Sequence, residues 1–164
     1  MHTLLRLALL SLTLCLAAAA QADDAVTASD AWIREAPPGA PMLAGYLVLT
    51  NHSGTERALV KAEGADFGAI ELHRSVFEDG MARMMPQERI PVPAGGAVEL
   101  KPGDYHLMLM RPARPLRAGD VSEITLHFDD GSRLPVRAEV RRAGIDGAQP
   151  HGHDHGHDNG HTHH

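Results

Sequence analysis

Residues 90–110, "IPVPAGGAVELKPGDYHLMLM", set the rhythm of the chain. AVELK and YHLMLM are strand-length runs, each preceded by a turn (PAGG, KPGD) built from the Gly, Pro and Asp that tight reversals need. Prolines at 91, 93 and 102 lack a backbone donor, so a helix cannot run through the segment. Outward from it the pattern repeats. VTASDAWI, GYLVLT, RALVKAE, AIELH and MARMM lie upstream, and VSEITLHF and RLPVRAEV lie downstream, separated by NHSGT, EDG, AGD and DDG. Short strands at regular turn spacing, with no sustained helical period, predict an all-β antiparallel sandwich or barrel.

The flanks are of a different kind. Arg6 precedes an apolar run from Leu7 to Ala17, and Ala20-Gln21-Ala22 forms a small-residue cleavage site before Asp23. Residues 1–22 therefore read as a secretory signal peptide, too short to be a membrane span. Cys15 raises the question of lipidation, but Leu14 precedes it where a small residue would be expected. Export to the periplasm, cleavage after Ala22 and no stable membrane insertion are the expectation. Residues 23–142 then form one β domain, and residues 143–150 (AGIDGAQP) a linker. Residues 151–164 (HGHDHGHDNGHTHH) form a low-complexity histidine-rich tail with no apolar side chain for a core.

Cleavage would remove Cys15, the only cysteine, and with it any disulfide, thiolate ligand or thiol nucleophile. Without C-x-x-C, a nucleophile–base–acid triad or a P-loop, no enzymatic role is expected. Loss of Arg6 leaves 14 Lys+Arg against 21 Asp+Glu, a balance with no basic footprint for nucleic acid or anionic lipid. A monomer is the expected state.

Alternate residues of a strand share a face. YHLMLM thus separates Tyr105, Leu107 and Leu109 from His106, Met108 and Met110, and AIELH separates Ile70 and Leu72 from Glu71 and His73. Both histidines are predicted to leave the core face, and MARMM adds Met81, Met84 and Met85. Two imidazoles with thioethers make a soft, uncharged donor set, better matched to Cu(I) than to Zn(II), Ca(II) or Mg(II). Composition and parity leave a plainer reading open. Methionine fills irregular core gaps, and strand histidines are commonly just hydrogen-bonded or exposed.

The spacing narrows the choice. His73, ten intervening residues, Met84, twenty-one intervening residues, then His106-x-Met108 is similar to the H-x10-M-x21-H-x-M signature of the periplasmic copper chaperone family written PCu(A)C. AWIREAPPGAPMLAGYLVLTN, DGMARM, IPVPAGGAVELKPGDYHLMLM and RLPVRAEV also resemble that family, in order, over residues 25–140. The resemblance implies a cupredoxin-like Greek-key β-barrel or sandwich with an exposed Cu(I) site at His73, Met84, His106 and Met108. It further implies a metallochaperone that delivers copper to an acceptor, the binuclear copper centre of cytochrome c oxidase subunit II, with a thioredoxin-like copper chaperone as co-worker. RSVFEDG, after His73, lacks a methionine some relatives carry there, and Met81, Met85 or Met110 are candidates for auxiliary contacts. The alternative is copper buffering or resistance in the periplasm, without a dedicated acceptor.

Elsewhere Trp32 reads as a core or rim aromatic, His52 as a solvated turn residue and His127 as exposed. Glu71 and Asp104 adjoin the donors and are candidates to orient their rings. In the tail, His151, His153, His155, His157, His161, His163 and His164 form a secondary site suited to Cu(II). Its affinity is expected to fall below about pH 6 as the imidazoles protonate.

Overall fold

The computed structural model describes residues 25–78 and 80–142. The predicted signal peptide (1–22), linker (143–150) and histidine-rich tail (151–164) lie outside them. The described chain is all-β, with ten strands. They are β1 (Val26–Arg34), β2 (Met42–Asn51), β3 (Arg57–Glu63), β4 (Phe67–Glu78), β5 (Met81–Pro86), β6 (Ile90–Val92), β7 (Ala97–Leu100), β8 (Tyr105–Pro112), β9 (Val121–Phe128) and β10 (Arg133–Arg141).

Seven of them close on themselves in the order β4-β8-β2-β1-β10-β9-β3, with Ala62 of β3 opposite Ile70 of β4 completing the ring. All pairings are antiparallel except β1 with β10, the first and last strands. The remaining three are additions at the rim: β5 on β4, β6 on β3, and β7 on the far half of β2. All nine strands read from sequence are present. The tenth, β6, has Pro91 at its centre, and it is tolerated there because β6 ends the sheet and, among the described strands, pairs only with β3.

Alternation supplies the core. Leu107 and Leu109 of β8 are buried with Leu43, Leu47 and Leu49 of β2, Leu59 of β3, and Ile124 and Leu126 of β9. Each such side chain contributes about 1.5–3 kcal/mol through removal from water. In β1 the register shifts between Ser29 and Trp32, where Asp30 adopts φ 47° and accepts a hydrogen bond from Arg141 at 2.9 Å. Beyond this bulge Trp32 lies opposite Tyr46, their rings 4.6 Å apart.

The decisive feature for the site is the length of β4, which continues past His73, where its sequence pattern ended, to Glu78. Phe67–Arg74 pairs with β8, while His73–Glu78 pairs with β5. The β4–β5 hairpin therefore overhangs the barrel. Its turn includes Gly80 at φ 77°, a conformation natural to glycine, and β5 is exposed along its whole length.

Candidate metal centre

His73 and His106 lie directly opposite one another across β4 and β8, with ring centroids 5.9 Å apart. Opposed residues of neighbouring strands share a face. Glu71 opposes Met108 on β8, and Ser75 opposes Met84 on β5, so all four sequence-predicted donors project from one face. Met84, His106 and Met108 line a cleft of about 360 Å³, closed on its other sides by Arg34–Pro37, Met42, Leu43 and Ala44. His73 is not among the residues lining this cleft; its ring neighbours that of His106.

The two imidazoles are held alike. His73 Nε2 donates to the Glu71 carboxylate at 2.9 Å, and His106 Nδ1 donates to the backbone carbonyl of Asp104 at 3.0 Å. Each hydrogen bond keeps the ring proton on the bonded nitrogen, which leaves the lone pair on the other one. Those nitrogens, His73 Nδ1 and His106 Nε2, are buried and have no hydrogen-bond partner among the described residues. An unmatched buried polar atom costs about 1–3 kcal/mol. A soft cation that accepts both lone pairs removes that cost, so the residues fit a metal such as Cu(I).

One expectation needs correcting. The family resemblance implied an exposed site, yet His73 and His106 are only 6% and 4% accessible. Parity placed them correctly off the core face, which belongs to Leu72, Leu107 and Leu109. That second face is recessed, however: at His106 the segment Arg34–Pro37 forms a wall of the cleft. The exposed part of the donor set is Met84, at 60%.

The auxiliary candidates separate by register. Met85 opposes Arg74 and Met81 opposes Glu78, so both project from the hairpin's other face, away from the cleft. Met110 shares the donor face but does not line the cleft. Met42, which does line it, was overlooked because only its pairing with β8 brings it there. Asp104 orients His106 through its carbonyl, while its carboxylate accepts from Arg74 at 3.0 Å. Burial raises the pKa of Tyr46 despite the opposing effect of Arg34, whose guanidinium lies 5.7 Å from the ring. His52 hydrogen-bonds Thr27, and His127, expected to be exposed, is half-buried and bonded to Glu63 at 3.0 Å. Among the described residues no three His, Asp or Glu side chains gather as a metal site, which leaves the mixed imidazole–thioether set as the candidate.

The family model described as "Putative lipoprotein LpqE-like" matches residues 26–140, and solved PCuAC domains share the fold. The chain belongs to the PCu(A)C family. A relative in Leifsonia xyli subsp. xyli, "Putative lipoprotein Lxx21020", is 34% identical over 119 residues, 72% of this chain and 70% of that protein. The solution structure of CuI-DR1885 from Deinococcus radiodurans matches 76% of this chain and 83% of its own, at 33% identity and a TM-score of 0.55. The copper-bound PCuAC domain from PmoF2 has a TM-score of 0.62 at 20% identity, covering 72% of this chain and 93% of that domain. This likeness supports the fold, and the barrel is that of the cupredoxin-like PCu(A)C domains.

Proposed function

We propose that this PCu(A)C protein is a periplasmic copper carrier and not an enzyme. It binds one Cu(I) through His73 Nδ1, His106 Nε2 and the thioethers of Met84 and Met108. The observation that carries this reading is the pair of opposed imidazoles, each with one nitrogen tied up and the other buried without a partner, beside a cleft whose lining includes the thioethers of Met84 and Met108. Family membership and the match to CuI-DR1885 support it. Thioether and neutral imidazole suit Cu(I), and four neutral donors leave its charge uncompensated. Thiolates of an acceptor then displace the donors one at a time, with no electron transferred. The acceptor implied by the family resemblance is the binuclear centre of cytochrome c oxidase subunit II, with a thioredoxin-like copper chaperone as partner.

The histidine-rich tail would gather further metal such as Cu(II). The chain leaves β10 close to the cleft: the Glu35 amide donates to Arg141 O at 2.8 Å, and Arg142 Nε is 4.0 Å from the Glu35 carboxylate. The seven histidines of 151–164 favour a second reading, copper buffering without an acceptor. Gene deletion separates the two: loss of oxidase activity at low copper marks delivery, and copper sensitivity alone marks buffering.

Anaerobic Cu(I) titration of the full chain with sulfur-edge absorption tests the site. Residues 143–164 contain no sulfur, so a Cu–S signal excludes the tail. One Cu–S-bonded ion per chain is expected, abolished in Met42→Leu/Met84→Leu/Met108→Leu, which removes every thioether lining the cleft. Persistence of the signal in that triple variant rules the assignment out.

A further inference from the structure

Four methionines are exposed among the described residues: Met42, Met81, Met84 and Met85. Register divides them, since Met81 and Met85 face away from the cleft and Met84 faces it. Met42, on a different element, faces it too. It begins β2 directly opposite Met110 of β8, two residues before Ala44, which opposes Met108. Met42 therefore shares the donor face of His106 and Met108 and lines the same cleft, and Ala44 between them contributes only a methyl group. Packing does not account for Met42. Its neighbour Leu43 enters the core at 7% accessibility, while Met42 remains 45% accessible. A leucine would fill the same space, so sulfur is what distinguishes the residue chemically.

Accessibility rises from His106 (4%) and His73 (6%) to Met42 (45%) and Met84 (60%). An ion entering the cleft meets the thioethers of its rim before the imidazoles. Resting on the Cu(I) reading above, we propose that Met42 is a fifth donor, a rim thioether that holds the ion while it exchanges with an outside ligand. In this step a Cu–S bond to Met42 forms as the Cu–N bond to His73 opens. The His73 proton stays on Nε2, copper remains Cu(I), and no electron or proton moves. On delivery, a soft donor of the acceptor then displaces Met42. The soft thioether favours this role because it matches Cu(I) without adding charge.

Full-length protein carrying 13C-methyl methionine, titrated anaerobically with Cu(I), provides the test. The methyl signals of Met42, Met84 and Met108 are expected to shift by one equivalent, while those of Met81 and Met85 remain in place. Met42→Leu is expected to slow Cu(I) transfer to a dithiol chelator about tenfold, and Met81→Leu to leave the rate as it was. A stationary Met42 signal while Met84 and Met108 shift overturns the fifth donor and leaves the four-donor site intact. Transfer from Met42→Leu at the wild-type rate does the same. If none of the three methyls shifts, the Cu(I) assignment of the cleft fails together with it.

Discussion

The two faces of β8 are built for opposite purposes. Leu107 and Leu109, at 1% and 0% accessibility, point into a core where every added contact stabilises the barrel. One residue away on either side, His106 and Met108 line a cleft, and His106 keeps a buried nitrogen without a partner. His106 is as deeply buried as the core leucines, while Met108 beside it is half-buried, and only the leucine face gains stability from burial. A polar group kept buried and unmatched is destabilising in the isolated protein, so its retention points to a ligand. Burial alone therefore does not distinguish core from site; hydrogen-bond satisfaction does.

The sharpest way to break this contrast is to truncate each face. Leu109→Ala should destabilise the fold by about 2–5 kcal/mol in denaturant unfolding. Met108→Ala, at a half-buried position lining the cleft, should cost clearly less than that while removing a thioether. Equal losses of stability would mean that the second face is simply more core.

A smaller effect is expected from the support of the donor face. Glu71→Ala removes the acceptor that holds the proton on His73 Nε2, and loss of such an orienting partner typically weakens metal binding about 10–100-fold. Competition titration against a Cu(I) chelator checks this, and a drop of less than threefold would mean that His73 is oriented by packing alone.

The smallest effect concerns acid stability away from the site. The hydroxyl and amide of Ser132, with Arg57 nearby, hold the Asp130 carboxyl below its usual pKa. A depressed carboxylate pKa contributes stability above the unfolded value, near pH 3.9, and that contribution is lost as pH falls through the folded value. The advantage of wild type over Asp130→Asn should therefore shrink below about pH 4 in acid unfolding, while persisting at neutral pH.

Much of this was legible beforehand. Strand positions follow from side-chain alternation and turn residues, both local properties, and the same alternation placed His73 and His106 off the core face. The spacing of His73, Met84, His106 and Met108 singled out the residues that register brings to one face. Only the tertiary structure decided the rest: closure of the ring by Ala62 and Ile70, the parallel pairing of β1 with β10, the overhang of β4, the recess around the histidines and the arrival of Met42 at the cleft. Each depends on which distant segments become neighbours. A side chain's face is set by the strand it belongs to, but what covers it is set by residues far away along the chain.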